Sequence, residues 1–183
     1  MTEPSRRAVM DPPAVERALA RMAEEVLRLA GGTGQLVLVG IHRRGVELAG
    51  RIAGLIAEAS GGPVATGSLD ITLYRDDLMV VGPRPVVGQT RLPTGGIDAR
   101  VVVIVDDVLY TGRTVRAALD ELADFGRPSR TLLAVLVDRP GRELPIQADV
   151  VGERVEVPAG GRVEVLVPEL DGRLGVELVT EAA

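Results

Sequence analysis

The segment Val101 to Leu122 reads VVVIVDDVLYTGRTVRAALDEL, and it restricts the fold more than any other part of the chain. Five consecutive Val or Ile residues, Val101 to Val105, have the pattern of a β-strand covered on both faces. Thr114 to Phe125 has the spacing of an amphipathic helix closed by Gly126. A buried strand that feeds straight into a helix is half of a βαβ unit. The same order recurs at Leu36 to Ile41, followed by a helix from about Val46 to Ala59, and Thr131 to Val137 supplies another strand. The fold class is therefore α/β, a mostly parallel sheet with helices on both faces, and its ligands belong at the carboxyl ends of the strands.

The flanking segments are less regular. Asp11 followed by Pro12 and Pro13 starts a helix whose apolar face is Val15, Leu19, Met22, Val26 and Leu29, and Gly31-Gly32 ends it. Val64 to Tyr74 predicts a longer strand interrupted by Gly67. Arg75 to Arg100 holds four glycines and three prolines and predicts a mobile loop or hairpin. From Asp138 to Ala183 only short β-like runs occur (Arg162 to Val167, Gly175 to Val179), which predicts a small cap and not more of the main sheet. At 183 residues and 46% hydrophobic, the chain suits a single domain. No run approaches the roughly 20 apolar residues of a spanning helix, and Met1 to Pro13 mixes charges with prolines, so no membrane association and a cytoplasmic location are expected.

Composition removes whole classes of chemistry. With no cysteine and one histidine, disulfides, thiolate metal sites and cysteine nucleophiles are excluded, and any metal must be held by oxygen. All 21 basic residues are arginine. A Walker-type phosphate loop and Schiff-base chemistry both need a lysine, and a phosphoacceptor receiver normally carries one, so none of the three fits. A net charge of −5 gives no support to nonspecific nucleic-acid binding.

The central string assigns a job to each of its parts. A helix start offers unpaired amides and the positive end of the helix dipole, which makes a phosphate site without lysine. Gly112 permits close backbone approach, and the Thr111 and Thr114 hydroxyls can add hydrogen bonds. Carboxylates beside a phosphate repel it unless they face something neutral or cationic. The vicinal hydroxyls of a ribose meet that need for Asp106 and Asp107, so the ligand is a sugar phosphate. Taken alone, Asp-Asp is also an exposed strand end and Thr-Gly-Arg-Thr an ordinary helix cap. A second glycine-bracketed turn, VGIHRRGVELA at Val39 to Ala49, carries Arg43 and Arg44 and suits another anion, or a plain surface loop. His42 there reads as a solvated side chain before a catalytic base.

These segments resemble the PyrR family, the pyrimidine operon attenuation regulators and uracil phosphoribosyltransferases. The resemblance rests on LDITLYRDDL at Leu69 to Leu78, VDDVLYTGRTVRAALDEL at Val105 to Leu122, GRP and then LAVLVDR within Gly126 to Arg139, and GRELPI at Gly141 to Ile146. It runs from about Arg17 to Val179. It implies a type I phosphoribosyltransferase fold with a small C-terminal cap, or hood, at about 138–183, and the reaction of uracil with phosphoribosyl pyrophosphate (PRPP) to give UMP and pyrophosphate. Asp106, Asp107 and Arg75 become the catalytic candidates. Val108, Leu109, Tyr110, Thr111, Gly112, Arg113 and Thr114 become the PRPP phosphate loop, and His42, Arg43, Arg44 and Gly45 the pyrophosphate turn. Val137, Asp138 and Arg139 fall to uracil, largely through backbone groups. Mg²⁺ is implied, held mostly through substrate with Asp106 and Asp107 nearby. Tyr74, Arg75 and Asp76 lie at the hinge of the loop at about 75–100, either as contacts made on closure or as a polar hinge. A homodimer or homotetramer is implied as well.

The chain also departs from the family pattern. Arg139, Pro140, Gly141 and Arg142 replace the usual Arg-Gly-His-Arg, Pro158-Ala159-Gly160 replaces Pro-Thr-Ser, Ala20-Arg21 replaces Thr-Arg, and Glu24 stands where histidine is common. Most of these positions fall on the face expected to bind pyrimidine leader mRNA. Arg21, Arg142 and Arg154 remain there as donors to phosphate. Three readings follow: a uracil transferase, an RNA-binding attenuator that senses UMP, and a transferase for another base such as a purine.

Overall fold

The computed structural model describes residues 4–74 and 88–180. Its centre is a five-stranded, all-parallel sheet built from β2 (Leu36–Ile41), β3 (Ala65–Leu69), β4 (Val101–Leu109), β5 (Arg130–Asp138) and β6 (Val150–Arg154), in the order β3-β2-β4-β5-β6. The continuous apolar runs exist because both sheet faces are covered. Successive side chains alternate between two cores. Leu36, Leu38, Val103, Val105, Leu132 and Ala134 face one core, whereas Val37, Val39, Val102, Ile104, Leu133 and Val135 face the other. Helices α1 (Pro12–Ala30) and α2 (Arg44–Ser60) fill the first and α3 (Arg113–Phe125) the second. Helix α1 has the predicted ends: Asp11 accepts the Ala14 amide at 2.9 Å, a cap contributing about 1 kcal/mol, and Gly31 closes it at φ 72°.

A second sheet, antiparallel and three-stranded, has the order β1-β8-β7, from β1 (Ser5–Met10), β7 (Arg162–Leu166) and β8 (Gly175–Thr180). Val165, Val167 and Val176 join the first core, so this hood packs onto the α1 and α2 side of the main sheet. The short helix α4 (Pro168–Asp171) sits between β7 and β8 and meets α2 through Arg44–Asp171 (2.9 Å) and Arg51–Glu169 (2.7 Å).

Several expectations are corrected. The strand expected from Val64 to Tyr74 stops at Leu69, because the Asp70 carboxylate accepts the Thr72 amide at 2.9 Å and tips the chain into a 3₁₀ turn, Thr72–Tyr74. Residues 88–100 of the segment expected to be mobile or hairpin-like are pinned. Ser68 and Arg91 exchange backbone hydrogen bonds at 2.7 and 2.9 Å, Ile97 is fully buried, and the Ala99 amide reaches Arg127 O at 2.9 Å. Residues 75–87, including Arg75 and Asp76, lie outside the described residues. The cap is not purely C-terminal: β1 is one of its strands, and β6, expected within the cap, is the edge of the main sheet. Strand β6 is short and polar, with a glycine at its centre. A Cβ on Gly152 would stand 2.6 Å from Leu136 O on β5, so the close approach of these two strands requires glycine here.

Candidate active site

The carboxyl ends of β2, β3 and β4 enclose a cleft of about 370 Å³ lined by His42, Arg43, Asp70, Thr72, Gly88, Asp106, Asp107, Val108 and Thr114, among others. Its first wall is the turn after β2. The His42–Arg43 peptide is cis, and the His42 amide donates to Leu69 O at 2.9 Å. Two glycines let this turn lie flat on the sheet. A Cβ on Gly40 would be 2.4 Å from Gly45 O, and one on Gly45 would be 2.5 Å from Val105 O. Of the residues expected to face pyrophosphate, His42 and Arg43 line the cleft and Gly45 seats the turn. Arg44 is not among the residues that line the cleft: its Nε and Nη2 reach the two Asp171 oxygens at 3.3 and 2.9 Å.

The second wall is the acid pair. Strand β4 continues through Asp106 and Asp107, farther than the apolar run predicts, because β5 stays paired with it up to Leu109↔Asp138. The Asp106 Oδ1 accepts the Asp107 amide at 2.9 Å, and the Asp107 Oδ1 accepts the Val108 amide at 2.8 Å, so each acid has one oxygen tied to the backbone. Asp106 is 6% exposed. Burial first, and then the charge of Asp107, push its carboxyl well above the usual aspartate value. Past Leu109, Gly112 adopts φ 93° and α3 opens with no capping side chain from it. The Thr111 hydroxyl oxygen accepts the Arg113 amide at 3.3 Å, and the amides that follow in the first turn face the ligand side. Thr114 lines the cleft. Arg113 does not point into it, since its Nε donates to Glu143 at 2.7 Å.

The third wall escaped the reading of the sequence. Asp70 accepts both the amide and the hydroxyl of Thr72, and its carboxylate also takes the Gly88 amide. Burial raises its pKa, but these hydrogen bonds, with smaller help from His42, outweigh burial and hold it below the usual value. A Cβ on Gly88 would lie 2.3 Å from Asp70 Oδ2. The available signal was an acid at a strand's carboxyl end, the same position as Asp106. At the expected hinge, the Tyr74 hydroxyl donates to Asp124 on α3, which raises the phenol's pKa.

A family described as "Phosphoribosyl transferase domain" matches residues 5–162. The "Bifunctional protein PyrR" of Thermus aquaticus is 55% identical over 170 residues, 93% of either chain. Its counterpart from Herpetosiphon aurantiacus is 54% identical over 165 residues, 90% of this chain and 92% of that one. The chain belongs to the PyrR family of phosphoribosyltransferases. Among solved structures, a hypoxanthine phosphoribosyltransferase from Staphylococcus aureus superposes with a TM-score of 0.64 at 18% identity, over 96% of this chain and 92% of that one. A purine phosphoribosyltransferase from Pyrococcus horikoshii gives 0.55 at 24% identity, over 79% and 84%. At those identities the likeness carries the type I phosphoribosyltransferase fold alone.

In this PyrR-family chain the hood side of the segment expected to hold phosphate is tightly tied. Thr111 O accepts the Glu143 and Leu144 amides at 2.9 and 3.2 Å, and Gly112 packs on Leu144 and Ile146. Leu109 is buried. Tyr110 stands outside the cleft with the Arg139 guanidinium 3.9 Å from its ring centre. The segment expected to present its backbone to uracil is largely engaged: the Arg139 amide donates to Leu109 O at 3.1 Å, Asp138 O accepts the Val155 amide at 3.0 Å, and the Val137 side chain is fully buried. Two of the arginines expected to face RNA meet at Asp138. Arg142 Nη2 donates to its Oδ1 at 2.6 Å, and Arg154 Nε stands 3.8 Å from its Oδ2. Arg21 reaches Gly152 O at 3.0 Å. Among the described residues no helix is long and apolar enough to cross a membrane.

Proposed function

We propose that the chain transfers the phosphoribosyl group of PRPP to uracil, giving UMP and pyrophosphate. The observation that carries this reading is the convergence, at one sheet edge, of the Asp106-Asp107 pair, the start of α3 and the glycine-seated turn at His42 and Arg43. The 5′ phosphate sits on the amides of Thr111 to Thr114. The ribose hydroxyls donate to the acid pair, and pyrophosphate lies along the turn with Arg43. The C1–O bond to pyrophosphate breaks and its electron pair leaves with that group. The uracil N1–C1 bond forms, and the N1 proton passes to solvent.

As the old bond lengthens, positive charge develops on the ribose. Asp106, whose ionised form is disfavoured by burial and by Asp107, gains most when that charge arrives, so it stabilises the transition state over the ground state. Mg²⁺ fits the donor set. The carboxylates of Asp106, Asp107 and Asp70 give oxygen ligands in a cleft with no thiolate. Among the described residues no group of three or more acidic or imidazole side chains forms a protein cage, which suits an ion brought largely by substrate phosphates. When bound, it supplies charge neutralisation for the departing pyrophosphate.

A second activity, UMP-dependent binding of pyrimidine leader mRNA, is favoured by the relatives' name, "Bifunctional protein PyrR", and by Arg154, whose side chain is 74% exposed beside the nucleotide site. Pyrophosphate release from PRPP and Mg²⁺ is to be measured with uracil, hypoxanthine and guanine in parallel. Release with uracil alone supports the proposal, and release only with a purine replaces it by a purine transferase. RNA retention by the same preparation, titrated with UMP, decides the second activity.

A further inference from the structure

Glu121 is a buried carboxyl that the proposed transfer does not use. It lies on the sheet-facing side of α3, 4% exposed, among Val115, Ala118 and Leu122. An apolar residue would fill this place without the cost of burying an acid. Burial foremost, and then the charges of Asp70 and Asp124, push its pKa up, while a hydrogen bond from Thr90 pulls the other way. Its Oε1 accepts the Thr90 hydroxyl proton, and the Thr90 oxygen in turn accepts the Asp70 amide at 2.9 Å. Its Oε2 is buried with no partner among the described residues.

The sequence of bonds has a direction. Thr90 has one hydroxyl proton; once Glu121 takes it, the lone pairs that remain point to the Asp70 amide. Asp70 then gathers Thr72 on one side and Gly88 on the other, the two edges of the cleft's third wall. We propose that Glu121 is a positioning residue: acting through Thr90, it fixes the Asp70–Thr72–Gly88 wall and thereby sets the affinity for PRPP. This rests on the reading of the cleft as the PRPP site.

The test uses the full chain with E121Q, E121L and T90V, read by PRPP binding calorimetry without uracil and by steady-state kinetics. A glutamine oxygen still accepts the Thr90 proton, so E121Q stays within about twofold of wild type. In E121L and T90V the loss of one buried hydrogen bond weakens PRPP binding, and raises its KM, about tenfold, with kcat and the KM for uracil within about twofold. The double variant E121L/T90V is no worse than either single one, because both break the same link. A folded E121L or T90V with unchanged PRPP affinity overturns the proposal, and so does E121Q falling as far as E121L. Loss of melting temperature without a change in PRPP affinity assigns Glu121 to stability alone and also overturns it. If E121L does not fold, T90V decides. A wild-type chain that binds no PRPP refutes the site itself, and one that binds PRPP but transfers nothing to uracil refutes the activity while leaving the wall testable by calorimetry.

Discussion

Replacing Gly45 by alanine tests whether the cleft is assembled by backbone contact. The new Cβ would lie 2.5 Å from Val105 O and 3.3 Å from Asp106 Cα. Both neighbours are backbone atoms of a central strand, so no flexible side chain can yield. To reach an ordinary 3.4 Å contact, the turn must retreat by about 0.9 Å. A shift near 1 Å in a group that positions substrate costs on the order of 10²-fold in rate. Crowding of this kind costs about 1–3 kcal/mol of stability, or roughly 2–12 °C in melting temperature for a chain of this size. Gly50 and Gly54 are controls in the same helix, with nothing within 4 Å of a Cβ. Alanine there stabilises by about 0.5–1 kcal/mol through helix propensity. The expected result is G45A with kcat/KM for PRPP down about 10²-fold and a lower melting temperature, and G50A and G54A with normal rates and higher melting temperatures. A G45A rate within threefold of wild type would refute the claim that the turn owes its place to contact with β4.

Asp107→Asn should lower the transfer rate by roughly 10²–10³-fold with the fold intact, as expected when electrostatic stabilisation is removed. Asp106→Asn should also lose activity but melt higher at pH 8. The Asp106 carboxyl is raised above its ordinary 3.8 in the folded state, so its ionisation costs stability as pH rises from 3.8 through the folded value, and the gain in the variant should vanish below pH 3.8. Asp171→Asn has the opposite sign. Burial raises the Asp171 pKa, but the Val167 amide and Arg44 lower it more, so the stability it contributes is present above pH 3.8 and lost as pH falls through the folded value. D171N should therefore melt lower than wild type at pH 7 and equal to it in strong acid. If leader RNA binds, R154A should reduce the dependence of log affinity on log salt by about one unit, and an unchanged slope would remove Arg154 from the interface.

The parts legible in the sequence were those fixed by local chemistry. Strands β2, β4 and β5 are covered on both faces and carry unbroken apolar runs, and α1 announces itself through Asp11, Pro12 and Gly31. The acid pair and the α3 start lie within one string, so their adjacency needed no tertiary information. Strand β1 was illegible because its sequence is SRRAVM at an edge, where Arg6 is stabilised by Glu164 and Glu177, more than 150 positions away in the chain. Strand β6 was hidden by Gly152, a residue fixed by its close approach to Leu136 of β5 and not by strand propensity. Asp70 and Glu121 were missed for a different reason: they meet through Thr90, 20 positions from one and 31 from the other, a spacing that no local pattern reveals. The turn of Arg44 toward Asp171 likewise depends on α4, which no periodicity in the sequence foretells.

A chain whose basic residues are all arginine must use the same cation to shape the site and to meet anions, and the structure divides these tasks by ion pairing. Arg44, Arg113 and Arg142 are held by Asp171, Glu143 and Asp138, so each fixes a loop that borders the cleft. Arg142 also donates to Tyr110 O, inside the phosphate loop, which makes it a brace between the hood and that loop. A guanidinium committed, like that of Arg142, to three internal acceptors gains little from an RNA phosphate, because it must first give up the bonds it has. Arg154, 74% exposed and 3.8 Å from the same Asp138, gives up almost nothing. Asp138 therefore faces both ways: one oxygen holds the brace on the turn at Tyr110, and the other faces Arg154, 74% exposed. If leader RNA binds at Arg154, Asp138 is the one carboxylate between that contact and the Arg142 brace, and R142A should then weaken the dependence of RNA retention on UMP; an unchanged dependence would refute a link through Asp138.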